Sequence, residues 1–175
     1  MRIFHVSEES DIQVFQPRLP NRPDLDPMKG LVWAIEERCL PNFLTPRNCP
    51  RVCYYIGPNT SEVDMQAYLS SKSCSHVVVI ENKWFETMKN TKLYLYEFDR
   101  KQFTLQDENA GYYVSETVQI PIAKWEVVDI FQEQFTRNVE LRLVNNLWDI
   151  WDEIQNTTFH WSMCRMQFAQ PRFEG

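Results

Sequence analysis

Two side chains able to do chemistry stand two residues apart near the start of the chain: His5 and Ser7, within Arg2-Ile3-Phe4-His5-Val6-Ser7-Glu8-Glu9. The stretch reads as a strand from residue 2, with no leader expected ahead of it. Side chains alternate across a strand, so Ile3, His5 and Ser7 share one face and Phe4 and Val6 the other. An imidazole and a hydroxyl on one face at a strand's end can exchange protons or hold a polar ligand. The plainer use of such a pair is structural, as hydrogen-bonded groups on a half-buried strand. The other two histidines, His76 and His160, are far away in sequence and no HExxH or HxH spacing occurs, so a metal hydrolase is a poor fit and no metal is expected. The five cysteines form no CxxC pair and read as reduced thiols of a cytoplasmic protein.

Composition narrows the field. The 175 residues suit a single domain, 1–175, with room for a core. A net charge of −6 argues against non-specific binding to nucleic acid or to an anionic membrane, while leaving room for a small anion held by a few arginines. Four glycines are too few for a phosphate-cradling loop. Apolar runs as short as Val77-Val78-Val79-Ile80 cannot span a bilayer. Aromatic content is high at 14%, which core packing would mostly absorb.

Strands and short helices are expected to interleave. Ser7 to Asp11 could cap a helical turn carrying Ile12 and Phe15. The four prolines between Pro17 and Pro27 mark a surface loop. Gly30 to Ile35, Val52 to Ile56, His76 to Ile80, Lys92 to Phe98, Gln102 to Leu105, Gly111 to Ile120, Val139 to Val144 and Phe159 to Cys164 read as strands. Helices are expected from Glu36 to Leu44, shortened by Pro41, after Ser61, around Trp84 to Met88, over Lys124 to Phe135 and over Leu147 to Ile154. Arg47 and Arg51 fall in a rigid turn and read as solvated. The pattern is α+β: one domain with a curved, mostly antiparallel sheet and short helices.

Three of these strands carry a resemblance. Phe4-His5-Val6-Ser7 resembles the aromatic-His-Gly-Ser/Thr strand that opens ADP-ribosyltransferases of the diphtheria-toxin and poly-ADP-ribose-polymerase type. Gly30-Leu31-Val32-Trp33-Ala34 is similar to that family's second motif, Gly-Ile-Tyr-Phe-Ala. Nine residues beyond Ala34 comes Phe43, at the place of the aromatic that stacks on nicotinamide. Gly111 to Ile120 is similar to the strand that bears the catalytic Glu, and the three motifs stand in the family's order. The resemblance implies that the first strand is central, beside the Gly111 to Ile120 strand. It also implies a pocket lined by His5, Ser7, Trp33, Phe43, Tyr113 and Ser115 that takes NAD or a related nucleotide.

The sequence departs from the family at the chemistry. Gly111 stands where the catalytic Glu belongs, Val6 replaces the Gly whose backbone meets the nicotinamide amide, and Leu40 replaces a Ser. Glu108 and Glu116 lie nearby, Glu116 with the opposite strand parity. Transferase turnover is therefore not expected, and no catalytic residue is assigned. The whole chain also resembles an uncharacterised bacterial family sharing His-Val-Ser-Glu-Glu, Pro-Arg-Asn-Cys-Pro-Arg and Ala-Gly-Tyr-Tyr-Val-Ser, which implies no activity. The competing reading is a non-catalytic domain whose aromatic surface meets another protein; nothing in the sequence gives the oligomeric state.

Overall fold

A computed structural model describes residues 1–20 and 25–173. The β-branched and aromatic runs become strands: β1 (Ile3–Ser7), β2 (Val32–Glu36), β3 (Arg51–Tyr55), β4 (His76–Glu81) and β5 (Leu93–Phe98). They are followed by β6 (Thr104–Asp107), β7 (Tyr112–Ser115), β8 (Ala123–Val127), β9 (Val139–Val144) and β10 (His160–Cys164). The helices are short: α1 (Glu62–Tyr68), α2 (Phe85–Asn90), α3 (Ile130–Thr136) and α4 (Trp148–Ile154). Ser61 caps α1, its hydroxyl accepting from the Asp64 amide at 3.1 Å. The chain is α+β, and its sheets are mostly antiparallel.

The strands form two sheets rather than one. A six-stranded antiparallel sheet runs β6-β7-β2-β1-β5-β8, and a four-stranded sheet runs β10-β3-β4-β9. Among the described residues, β4 and β9 alone pair in parallel, a connection that needs an intervening crossover. The chain divides into two compact units accordingly, residues 1–40 with 93–127 and residues 41–92 with 128–175. In the first, Ile3, Val32, Ala34, Tyr96, Phe98 and Tyr113 pack with Phe15 and Phe103 on one face of the six-stranded sheet. In the second, Val52, Tyr54, Val77 and Val79 pack with Leu147, Ile154 and Phe159.

Several expectations change. β1 is central, paired with β2 and β5, but β2 lies between it and β7, so the two motif strands are not neighbours. Ser7 to Asp11 forms no helical turn: the Ser7 hydroxyl accepts from the Glu9 amide, and the Tyr96 hydroxyl ties down Glu9 O and Ile12 N. Those local bonds compete with helix formation. The expected helix over Lys124 to Phe135 is split. Residues through Val127 pair with β5, and Asp129 then caps α3 by accepting from the Gln132 amide at 3.0 Å. Glu37–Phe43 is a 3-10 helix with Pro41 inside it, a ring that could not sit within a longer α-helix. Of the proline-rich loop, residues 21–24 lie outside the described residues.

Candidate functional site

The six-stranded sheet is interrupted at its middle. β1 and β5 are in register over all five residues of β1, whereas β1 and β2 pair only at Ile3↔Glu36 and Phe4↔Ile35. The Glu37 amide donates to Arg2 O, which sets the alternation of bonds along this pair. Continued by two residues, that alternation would give the Trp33 carbonyl the Val6 N–H. Instead it accepts from His5 Nδ1 at 3.0 Å. A fork therefore opens between the ends of β1 and β2, bridged by an imidazole. The Val6 amide and carbonyl, aimed toward β2 by the same alternation, have no ladder partner there.

The bond to a carbonyl fixes the proton of a neutral His5 on Nδ1, which leaves Nε2 an acceptor. Among the described residues, no hydrogen bond is made to Nε2. Partial burial lowers the His5 pKa, opposed by the Trp33 carbonyl and assisted by the charge of Arg18. The ring is thus held neutral at physiological pH, packed against Phe15 at 4.9 Å between centroids. Ser7 and Val6 are half-buried at the mouth, and Arg18 is exposed beside the bridge that pairs it with Leu31. Such a fork offers backbone donor and acceptor, a neutral imidazole acceptor, a hydroxyl and a nearby cation. That set can hold a polar ligand by both its donors and its acceptors.

The other residues singled out in the sequence are not all brought to this place. His5, Ser7, Tyr113 and Ser115 do share one face of the sheet, since Ala34 is opposite Tyr113 and Val32 opposite Ser115. Tyr113 is buried in the apolar cluster with the Arg100 guanidinium 5.2 Å above its ring. The Ser115 hydroxyl accepts from Gln119 Nε2 at 2.8 Å. Trp33 lies on the opposite face, edge-on to Tyr112 at 5.4 Å, so only its carbonyl reaches the fork. Phe43 belongs to the second unit, where its ring lies 5.2 Å from the Arg51 guanidinium. Gly111 precedes β7 in a turn with φ of +68°, so strand parity does not set its direction. Glu116 is exposed and paired with Lys29 at 3.4 Å, and Glu108 is exposed with its carbonyl taken by Arg38.

The second unit holds a polar row that the sequence alone does not reveal. Register places His160, Tyr55 and His76 side by side across β10, β3 and β4. Tyr55 stacks on His76 at 4.8 Å, and His76 Nε2 donates to the Asn42 side-chain carbonyl at 2.7 Å. Gly57 makes room for His160, because a Cβ there would fall 2.5 Å from the ring. Arg51 is buried, correcting its reading as solvated: it donates to the carbonyls of Asn42 and Cys49. Alternation along three separate strands creates the row, and each strand shows only one of its members.

Burial pushes the His76 pKa down to about 4 from 6.5. The unfolded chain then binds a proton on this residue in a pH range where the folded chain does not. Stability is fully present above about pH 6.5 and falls as pH drops toward about 4, by roughly 3 kcal/mol in total. Urea melts of the native protein and His76→Gln between pH 4 and 7.5 should show the smaller pH dependence in the variant. Parallel profiles would show that His76 does not cause it.

Among the described residues, no group of three or more His, Cys, Asp or Glu could hold a metal ion. No helix among them is long and apolar enough to cross a membrane. All five cysteines are free, and burial pushes the Cys49 thiol up to about 12, which leaves it unreactive at neutral pH. A surface hollow of about 440 Å³ lies beside Glu86, Thr87, Asn90 and Thr91 of the second unit. No curated protein and no solved structure matches the chain. A family model does match, over residues 4–169, and the chain belongs to that family, DUF6886, a family of unknown function.

Proposed function

We propose that the fork between β1 and β2 binds a nucleotide of the NAD or ADP-ribose class and does not turn it over. The observation that carries this reading is the interrupted ladder, which aims the Val6 backbone at the same gap as a neutral His5 and the Ser7 hydroxyl. A carboxamide or a base edge presents both donors and acceptors, as the gap does. Arg18 supplies positive charge for phosphate. The likeness of the three motif strands to ADP-ribosyltransferases supports a nucleotide over other polar ligands. Absence of turnover follows from the missing carboxylate: Gly111 stands where the resemblance would place it, and Glu116 is engaged with Lys29. In this reading His5 and Ser7 touch the ligand, and Trp33 contributes its backbone.

A second reading, a non-catalytic domain that docks on another protein, is favoured by one observation. Val14, Val118 and Ile120 are all exposed on two segments joined by the Phe15↔Gln119 bridge. Titration of NAD, ADP-ribose and nicotinamide, followed by melting temperature and Trp fluorescence, separates the two. A ligand at a hundredfold excess over Kd stabilises by roughly 2.7 kcal/mol. That corresponds to a rise of roughly 5–10 °C for a chain of this size. The rise should be seen in the native protein and lost in His5→Leu, with no nicotinamide released from NAD by either. If no nucleotide shifts the native melt, the docking reading takes its place.

A further inference from the structure

We infer that a groove along α4 is a receptor for an extended peptide carrying arginine, and that the chain's own residues 170–172 fill it in cis. The inference is independent of the fork, because every residue involved belongs to the second unit. After β10 the chain makes a 3-10 turn, Met166–Phe168, and leaves it extended at Ala169. The Gln170 amide then donates to Glu81 Oε1 at 2.8 Å, and the Gln170 carbonyl accepts from Trp148 Nε1 at 2.7 Å. The Pro171 carbonyl accepts from Asn146 Nδ2 at 2.9 Å. These bonds go to the main chain of the segment, so this part of the groove suits any extended peptide.

Specificity falls on Arg172. Its Nη1 and Nη2 donate to the two carboxylate oxygens of Asp152 at 2.6 and 3.0 Å. The guanidinium carbon lies 4.4 Å from the Trp148 ring centroid and 5.2 Å from that of Trp151. Trp148, Trp151 and Asp152 stand at i, i+3 and i+4 of α4 and share one face of it. A carboxylate on the edge of a planar cation, with aromatic rings beside it, favours arginine over lysine. An exposed ion pair contributes little alone, so binding rests on the stacked, bidentate geometry together with the main-chain bonds. The receptor side is built in: Glu81 closes β4 and is fully buried, and Trp151 packs against the core of the unit. Residues 170–172 are exposed, lie in no strand, and bond to side chains rather than to a ladder. Segments of that kind open locally at small cost. The Glu81 carboxylate, with Lys83 Nζ 3.1 Å from its other oxygen, then accepts an N–H from an incoming chain.

The test uses the full chain and a labelled peptide, Met-Gln-Phe-Ala-Gln-Pro-Arg-Phe, followed by fluorescence anisotropy. Arg172→Ala frees the guanidinium site and should bind the peptide at least tenfold more tightly than the native chain, whose own segment competes. A peptide with Ala in place of its Arg should bind that variant at least tenfold more weakly, and a Lys peptide nearly as weakly. Adding Asp152→Asn to Arg172→Ala should remove most of the gain. Melting curves establish that each variant is folded, and Arg172→Gln serves if Arg172→Ala is not. No binding by Arg172→Ala, equal binding by the native chain and the variant, or equal binding of the Arg and Ala peptides would each overturn the proposal. A dimer of native chains that exchange the segment, with no binding of free peptide, would overturn it in favour of a second copy.

Discussion

Gly111→Glu is expected to lower stability by roughly 3–5 kcal/mol and to create no transferase. Three costs combine. The backbone at Gly111 has φ of +68°, a conformation costing a residue with a Cβ about 1–2 kcal/mol. A Cβ built there falls 2.8 Å from Cys39 Sγ and 3.0 Å from Cys39 Cβ. Cys39 is fully buried and cannot swing aside, so overpacking adds roughly 1–3 kcal/mol. The new carboxylate would begin from a buried position without a prepared partner, which adds more. The melting temperature should fall by roughly 10 °C or more. Gly111→Ala should show most of the loss, since it already carries the Cβ. A Gly111→Ala protein that melts within a degree or two of the native one would refute this account, and nicotinamide release by Gly111→Glu would reopen the question of catalysis.

Arg51→Ala should cost about as much, roughly 3–5 kcal/mol, measured as a shift in urea midpoint. The side chain is 6% exposed and reaches back from β3 to the loop before it. Its Nε–H donates to Asn42 O and one Nη1–H to Cys49 O at 2.9 Å, satisfying carbonyls that the strands do not pair. Truncation leaves both acceptors buried without a donor and removes the contact with the Phe43 ring. Arg51→Lys keeps the charge but cannot present two divergent donors in one plane, and should recover less than half of the loss. A midpoint shift in Arg51→Ala equivalent to under about 1 kcal/mol would show that the loop is held by something else.

These effects mark where local pattern stops informing. The alternation of β5, β9 and β10, the Ser61 cap and the i, i+3, i+4 spacing of α4 depend on neighbours a few residues away, so most element types and the α+β class can be read from local pattern alone. The Lys124 to Phe135 segment shows the limit. Val127, Val128, Phe131 and Phe135 satisfy a helical period, yet pairing of β8 with Leu93 to Glu97 decides for a strand as far as Val127. Pairing between strands distant in sequence carries no local signature, so the division into two sheets was not legible, nor was the placement of β2 between β1 and β7. The same holds for the site. Strand parity pairs His5 with Ser7 and Tyr113 with Ser115, a two-residue repeat that any strand obeys, while the register through β2 is what brings the two pairs to one face of the sheet. Parity could not show that Trp33 turns to the other face, because that depends on which residue of β2 stands opposite Phe4. That the β1–β2 ladder stops after Phe4 emerges from the folded chain alone, since a hydrogen bond given up by one strand and taken by an imidazole is settled by register. Burial of Arg51 and His76 was decided there too, by layers of chain that arrive from elsewhere in the sequence.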